Sequence, residues 1–253
     1  IDIFNPSTVD HISQIRQAVQ QGRLDATIKV NASPVASSQF MVFNWNKASD
    51  PFKQSLFRSD KFRRAMSHLV NRQAVIDIVY GGLGTPMYSS VYPVLTQWIN
   101  PKVPKYEYDP KQAAKLLAEL GFTKKDREGY LVDSKGRRIE FNIATNAGNT
   151  QREQIAKLIV DEAKKVGVKV NFQAIDFNTL VGQLLSSGPD RPFDAIIIGL
   201  TGGGLDWPFG SNVVPCKGNL HMWNKSGQCL DPRETLMEKL YYQGRTEPDF
   251  KKR

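Results

Sequence analysis

Residues that carry catalytic or metal chemistry are scarce in this chain of 253 residues. It has only two cysteines and three histidines, and the histidines, His11, His68 and His221, lie far apart in the sequence. The sequence contains no HExxH pair, no Gly-x-Ser-x-Gly elbow and no carboxylate pair typical of a catalytic cleft. These absences predict a protein that is not an enzyme and needs no cofactor. A pairing of Asp206 with His221 is the one enzymatic arrangement that the sequence leaves open.

Long apolar runs are also missing. No stretch of about 18 apolar residues occurs, so we expect no segment that crosses a bilayer as a helix. Hydrophobic residues make up 40% of the chain, which is enough for one large domain or two modest ones with a core. The sequence begins at Ile1 without a secretion leader, and we interpret it as a processed chain or an excised piece of a longer one.

Acidic residues are outnumbered, because 25 Asp and Glu stand against 34 Lys and Arg, for a formal charge of +9. Such a charge raises the hypothesis of nucleic-acid binding. The basic residues nevertheless form short groups at expected turns and helix ends, without a stripe of interleaved aromatic residues. The groups are Lys124-Lys125, Arg137-Arg138, Lys164-Lys165 and Lys251-Lys252-Arg253. A solvated surface explains them, and nucleic-acid binding remains a remote alternative.

The most informative stretch covers residues 193–208, FDAIIIGLTGGGLDWP. Its continuous β-branched run is typical of a strand that is covered on both faces of an α/β sheet. Ligands bind beyond the carboxyl ends of such strands. Gly202, Gly203 and Gly204 follow at that end, where glycine allows a ligand to approach the backbone closely. Asp206 and Trp207 come next, so we expect them to face a bound ligand.

Each candidate ligand residue also has a structural interpretation. Asp206 can cap the turn before Pro208, and Trp207 can pack inside its own lobe; a ligand-facing indole would instead stack on a sugar ring or pack a side chain. Asn44, Trp45 and Asn212 are weaker candidates, since asparagine near strand ends commonly serves turns. We keep all of these residues as predicted ligand-binding positions.

Cap and turn residues divide the rest of the chain into short elements. Residues 24–30 and 40–44 are expected strands. A helix is expected to begin at the Ser59-Asp60 cap and reach about Tyr80, and another covers residues 109–121, between an Asp-Pro start and a glycine stop. Residues 130–145 are expected to form a hairpin with its turn at residues 134–136.

A strand, helix and strand then form the expected core unit, over residues 139–145, 149–167 and 168–175. A further helix over residues 177–187 leads to the strand before the glycine run. Right-handed crossovers make these strands parallel, so residues 146–149 and 201–207 are expected at the same sheet edge. Residues 146–149 resemble an anion cradle at a helix start, but they lack the lysine and glycine spacing of a phosphate loop, and helix capping is the favoured interpretation.

Cys216 and Cys229 bracket a polar, glycine-containing loop. An even pair that closes a short loop indicates an oxidising compartment and a disulfide, which would contribute about 3 kcal/mol. The rival is a metal site formed by Cys216, His221 and Cys229. No fourth ligand stands at a zinc-like spacing, so the disulfide is favoured.

Four stretches carry a family resemblance. Residues 193–208, residues 62–72 (FRRAMSHLVNR), residues 81–86 with Tyr92-Pro93, and residues 108–122 occur in the order seen in bacterial extracellular solute-binding proteins of the oligopeptide and dipeptide class. The chain resembles this family over most of its length. Phe62 and Asn71 depart from the family pattern, in which Val-Arg opens the helix and Asp-Arg closes it.

The resemblance implies an α/β fold, a periplasmic-binding-protein-like lobe with a mixed, partly parallel sheet flanked by helices. It implies that residues 1–36 are a hinge-proximal segment that leads from a missing first lobe into this one. Residues 37–245 would form the second ligand-binding lobe, and residues 246–253 would begin the segment that returns to the first lobe. The acidic residues near Thr246 are expected to open a helix there. The location implied is periplasmic or extracytoplasmic, with a lipid anchor as an option in the full-length protein.

The resemblance also implies the function of a receptor that closes two lobes on a ligand and presents it to ABC permease subunits in the membrane. Peptide is the leading ligand, and the aspartate that matches Asp206 pairs with the ligand's α-ammonium group. An oligosaccharide is the alternative, because the sequence shows no evident partner for a peptide carboxylate.

Overall fold

The computed structural model describes residues 3–4, 9–29, 37–201 and 210–253. Six strands occur in these ranges: β1 (Ser37–Phe43), β2 (Lys124–Lys125), β3 (Leu131–Val132), β4 (Glu140–Asn146), β5 (Lys169–Ile175) and β6 (Ala195–Thr201). The helices described are α1 (Val9–Gln20), α2 (Pro51–Arg58), α3 (Asp60–His68), α4 (Arg72–Val79), α5 (Pro110–Glu119), α6 (Thr150–Lys165), α7 (Phe177–Leu185) and α8 (Pro232–Thr246).

The main sheet has the strand order β1-β6-β4-β5. β4 is parallel to both β5 and β6, whereas β1 pairs with β6 in the antiparallel sense. The helices α6 and α7 connect the parallel strands, as crossover connections require. The expected mixed, partly parallel sheet flanked by helices is therefore confirmed.

Both faces of this sheet are covered, because the side chains of β6 alternate between two apolar clusters. Ala195 and Ile197 join a cluster that includes Ile155 and Ile159 of α6, and Ile196 and Ile198 join a second cluster with α7. The first cluster contains four phenylalanines whose ring centroids lie between 5.3 and 6.1 Å apart, in stacked, tilted and edge-on pairs. They are Phe43, Phe57, Phe62 and Phe141.

Local sequence signals explain the core unit. The Asn149 side chain accepts a hydrogen bond from the Arg152 backbone N–H and starts α6. Gly167 ends the connection at φ +89°, and an added Cβ there would lie 3.1 Å from the Gly129 carbonyl oxygen. The Asp109-Pro110 start of α5 is also present. Because β4 and β6 are parallel, their carboxyl ends lie at the same edge of the sheet.

Three expectations about elements are wrong. Residues 24–29 form no strand, and residue 30 lies outside the described residues. The single helix expected between Ser59 and Tyr80 is two helices, because the Asn71 side chain accepts a hydrogen bond from the Ala74 N–H and caps a new start. Thr246 ends α8, and residues 247–253 contain only turns and irregular backbone.

The expected hairpin is short. β3 pairs with β2, and its Val132 forms an isolated bridge with Arg138 before β4 begins. Among the described residues, no helix combines the length and apolarity needed to cross a membrane.

Candidate functional site

The carboxyl edge of the parallel strands is the candidate site. β4 ends at Asn146, β6 ends at Thr201, and β1 begins at Ser37, which is the register partner of Thr201. Ligands of open α/β sheets bind outside this edge. The residues after Thr201 include the predicted ligand positions, so we describe the groups that surround this point.

Arg152 links three elements at this edge. Its Nε donates to Gln39 Oε1 of β1 at 2.9 Å, and its Nη1 donates to Asn146 Oδ1 of β4 at 2.7 Å. Gly199 of β6, the register partner of Gln39, makes room for both side chains. An added Cβ at Gly199 would lie 2.9 Å from Arg152 Nη2 and 2.7 Å from Gln39 Nε2. At this edge the Arg152 guanidinium therefore lies against the backbone of Gly199 and links β1, β4 and β6.

The electrostatics of Arg152 are unusual for a residue in the first turn of a helix. The positive end of the helix dipole disfavours a cation there by about 0.3–1 kcal/mol. Burial lowers the pKa of Arg152, and Tyr80 opposes that shift. Within residues 9–29, 37–201 and 210–253, Arg152 forms no ion pair with a carboxylate. A half-buried guanidinium whose described partners are all neutral can bind a negatively charged ligand group through charge-assisted hydrogen bonds.

Tyr80 adds a second polar group beside Arg152. Its hydroxyl oxygen is buried and has no hydrogen-bond partner in the described part of the chain. Burial raises the pKa of Tyr80, and the nearby Arg152 charge lowers it in part. A neutral hydroxyl and a guanidinium thus stand together at the carboxyl edge.

The expected helix cap at residues 146–149 is present, whereas the anion cradle is not. The Gly148 N–H donates to Glu153 Oε1 at 3.0 Å, so it is already bonded. Asn149 caps α6, and the Asn146 amide oxygen binds Arg152. The capping interpretation accounts for these residues.

The leading predicted ligand positions, Gly202, Gly203, Gly204, Asp206 and Trp207, lie outside the described residues, which resume at Gly210. Their roles stay predictions.

Asn44 and Trp45 lie inside the lobe. Asn44 is fully buried, its Nδ2 donates to the carbonyls of Arg191 and Phe193, and its Oδ1 accepts from the Asn46 N–H. Trp45 is 8% exposed, and the Arg63 guanidinium lies 4.7 Å from the centre of its ring. These contacts occupy the Asn44 amide and the face of the Trp45 ring, whereas Trp45 Nε1 is buried without a hydrogen-bond partner in the described residues. Because both side chains are buried, we leave them out of the proposed ligand surface.

Asn212 has a different setting. It is exposed, and its backbone carbonyl accepts a hydrogen bond from the Leu220 N–H. It lies two residues after the described chain resumes, and it remains a predicted ligand position.

The cysteine pair is confirmed as a disulfide between Cys216 and Cys229, with Cα atoms 5.3 Å apart. Each sulfur is bonded to the other, so the metal alternative is wrong for this form of the loop. The loop packs on Glu234 of α8, which is 3% exposed. The Glu234 carboxylate accepts hydrogen bonds from two backbone N–H groups and from side chains at distances between 2.6 and 3.4 Å. The donors are Leu230 and Asp231 for the backbone, and His221, Trp223 and Asn224 for the side chains.

His221 is therefore a structural residue and not a partner for an enzymatic aspartate. Its Nε2 lies 3.0 Å from Glu234 Oε1, and its Nδ1 lies 2.8 Å from the Val213 carbonyl oxygen. Both ring nitrogens therefore lie within hydrogen-bond distance of an oxygen of this lobe. Through Val213, this pair fixes the segment that follows the predicted ligand loop.

Sequence reasoning missed Arg152, Tyr80 and Gln39. The one local signal was the arginine in the first turn of α6, where a helix favours acidic residues. Gln39 and Tyr80 carry no such signal, because tertiary packing alone brings them to Arg152.

The fold and this edge define an α/β lobe of the periplasmic-binding-protein type. The middle region of bacterial extracellular solute-binding proteins, family 5, matches residues 1–218. The chain belongs to this family, whose members are receptors and not enzymes.

Two relatives agree with this assignment. A probable ABC transporter-binding protein from Deinococcus radiodurans is 50% identical over 262 residues, which cover 100% of this chain and 44% of that protein. The oligopeptide-binding protein AppA from Bacillus subtilis is 33% identical over 163 residues, covering 63% of this chain and 28% of that protein. The chain thus spans less than half the length of these curated relatives.

Solved structures share the fold. The structure of AppA from Bacillus subtilis in complex with a nonapeptide matches 93% of this chain and 44% of that chain, with a TM-score of 0.72 and 26% identity. NikA from Brucella suis in complex with Fe(III)-EDTA matches 94% of this chain and 44% of that chain, with a TM-score of 0.70 and 16% identity. The second likeness concerns the fold alone.

Proposed function

We propose that this chain is the second lobe of a substrate-binding receptor of an ABC importer, and that the receptor binds peptides. The carrying observation is the Arg152 guanidinium at the carboxyl edge of the sheet, whose partners within residues 37–201 and 210–253 are the neutral side chains of Gln39 and Asn146. The family membership and the likeness to a peptide-bound AppA structure support the same proposal.

A peptide carries an ammonium group, carbonyl oxygens and a carboxylate, so its receptor needs groups of both charge signs. In the proposal, Asp206 binds the α-ammonium group through a charge-assisted hydrogen bond. Arg152 supplies the positive group for a peptide carboxylate or carbonyl oxygen. The alternative of an oligosaccharide depended on sugar binding by some members of this architecture, on the four tryptophans of the chain and on the lack of an evident partner for a peptide carboxylate. It gains no support from the relatives named above, and we do not carry it forward as a function.

The mechanism follows from the two-lobe arrangement that we propose. Residues 1–36 approach from the hinge, residues 37–245 form this lobe, and residues 246–253 begin the return to the other lobe. Contacts from both lobes bind the ligand better in the closed state, so binding shifts the population toward closure. ABC permease subunits then recognise the closed receptor outside the cytoplasm. Gly202, Gly203 and Gly204 allow close approach, and Trp207 and Asn212 add packing and hydrogen bonding.

Modified peptides test the two charged positions separately in the full-length protein. A ligand at about 100 times its dissociation constant should add about 2.7 kcal/mol of stability, which a thermal-shift panel detects. N-acetylation should weaken binding as Asp206→Asn does, and C-terminal amidation should weaken it as Arg152→Gln does, each by about 10- to 100-fold. Arg127→Gln, which removes an exposed arginine from the β2–β3 insert, is the matched control.

Two results would contradict the peptide proposal. One is stabilisation by cello- or xylo-oligosaccharides that survives Asp206→Asn and is lost in Trp207→Ala. The other is steeply salt-dependent binding of duplex DNA without any response to peptides.

A further inference from the structure

The disulfide loop and α8 bring a third ligating group to the two cysteines. Glu238 lies one helical turn after Glu234 and faces the same loop. Its Oε1 accepts a hydrogen bond from the Cys216 N–H at 2.9 Å, and its Oε2 lies 3.6 Å from Cys229 Sγ. The sulfurs of Cys216 and Cys229 and a carboxylate oxygen of Glu238 lie within 4.8 Å of one another.

This ligand set suits zinc once the disulfide is open. Zinc binds thiolate sulfur at about 2.3 Å and carboxylate oxygen at about 2.0–2.2 Å in tetrahedral geometry, so neighbouring ligand atoms lie about 3.5–3.8 Å apart. Glu238 Oε2 already lies 3.6 Å from Cys229 Sγ, and the two sulfurs must move apart once their bond is open. In the oxidised form the sulfurs are bonded to each other and cannot ligate as thiolates. The sequence offered His221 as the third ligand and did not indicate Glu238, because Glu238 reaches the loop only through the fold.

The neighbouring titratable groups have partners of their own. Glu234, the other carboxylate on this face of α8, is occupied by its hydrogen bonds from the loop and from the helix start. His221 lies between Glu234 and the Val213 carbonyl. Cys216 is buried, whereas Cys229 is partly exposed, so a small reductant can reach the bond from the Cys229 side.

We propose that the reduced loop is a zinc site formed by Cys216, Cys229 and Glu238, with water in the fourth position. A dithiol opens the bond by thiol–disulfide exchange: its two electrons and two protons pass to the cysteine sulfurs, and it leaves as a disulfide. Each cysteine thiol then loses its proton to solvent as the sulfur binds the metal. The oxidised loop does not bind zinc, so the redox state of the pair gates the site.

The test compares the oxidised and the reduced full-length protein. A phosphine reduces the pair, taking one oxygen from water as the two thiols form, and gel filtration without oxygen removes it. Metal analysis should then find one more equivalent of zinc in the reduced protein than in the oxidised protein. Cobalt(II) in place of zinc should give near-ultraviolet thiolate-to-metal absorption only after reduction.

Glu238→Gln distinguishes a zinc site that includes Glu238 from zinc binding by the two cysteine thiolates alone. It should keep the disulfide when oxidised and weaken zinc binding by at least about 10-fold when reduced. The matched control is Glu119→Gln, which removes a carboxylate that pairs with Lys61 elsewhere on the surface. The double variant Cys216→Ser with Cys229→Ser should bind no additional zinc.

The rate at which the cysteine pair reoxidises gives a test that does not depend on counting bound zinc. Zinc should slow reoxidation of the pair by oxidised glutathione at least about 10-fold, and a chelator should restore the rate. Equal zinc content in both redox states, or unchanged affinity in Glu238→Gln, would overturn the proposal.

Discussion

Arg152 passes directly over Gly199, so that a Cβ on Gly199 would lie 2.9 Å from Arg152 Nη2. β6 can hold no larger residue there without moving a side chain that also binds Gln39 and Asn146. This contact joins α6, the connection between β4 and β5, to β6 at the proposed ligand edge.

Gly199→Ala should change ligand binding more than stability. The atoms that would clash are the far ends of two flexible side chains, so we expect the free energy of unfolding to change by less than about 1 kcal/mol. Displacement of Arg152 should weaken peptide binding by about 10-fold or more, measured by calorimetry on the full-length protein. Gly182→Ala is the control, because nothing lies within 4 Å of its added Cβ and alanine favours the helix α7. Undiminished peptide affinity in Gly199→Ala would remove Arg152 from the site.

Glu234→Gln should destabilise the lobe by about 3 kcal/mol, measured by urea unfolding. Glutamine replaces one buried oxygen with an NH2 group, which faces N–H donors that then lose their acceptor. Glu128→Gln is the control, since that side chain is 63% exposed and pairs with Arg138 at the surface. A loss below about 1 kcal/mol for Glu234→Gln would show that the loop does not depend on this carboxylate.

Stability should fall on acidification, and Glu234 should account for part of the fall. Burial opposes its ionisation, but hydrogen bonds from His221, Leu230, Trp223 and Asn224 outweigh burial and hold the pKa below its ordinary value. Hydrogen bonding from Arg233 lowers the pKa of Asp231 to about 2. A carboxyl group with a lowered folded-state pKa stabilises the fold above its unfolded pKa, near 4, and loses that contribution as the pH falls through the folded pKa.

Urea midpoints measured from pH 6 down to pH 2 check this prediction. The midpoint should decline below about pH 4, and Glu234→Gln should give a shallower decline because one of the linked protons is removed. Parallel declines in the variant and the parent protein would contradict a role for Glu234.

Replacing both Cys216 and Cys229 with serine should lower the free energy of unfolding by about 3 kcal/mol, because the bond closes a loop with a sequence separation of 13. The parent protein unfolded in reductant and chelator should give the same value. A difference between the two would point to an effect of the serines themselves and not of the lost cross-link.

The core of the fold could be predicted from the sequence because its signals are local. The apolar run of β6, the Asn149 cap and the Gly167 stop each depend on neighbouring residues, and the crossover rule then fixes the parallel pairing. The break between α3 and α4 was missed because Asn71 reads equally well as a surface helix residue until its cap is seen.

The candidate site could be predicted from the sequence only in part. Its position at the carboxyl edge followed from the strand direction, whereas the meeting of Gln39, Tyr80 and Arg152 depends on packing between elements that are distant in sequence. The burial of Asn44 could not be predicted, because the same amide chemistry serves a ligand or a buried backbone carbonyl, and its ligand role stays an untested prediction. The strand expected at residues 24–30 was wrong over residues 24–29, which are exposed and form no ladder, because apolar and β-branched residues alone do not supply a pairing partner.

The register of β1 against β6 has a mechanical consequence. Ser37 and Thr201 are partners, so the backbone that enters β1 and the backbone that leaves β6 begin side by side. A displacement of Ser37 would act through this ladder on Thr201, the last described residue before the segment that holds Asp206. In the proposed receptor, a rotation of one lobe would therefore reach the segment predicted to contact the ligand through the β1–β6 pair, without passing through the rest of the core.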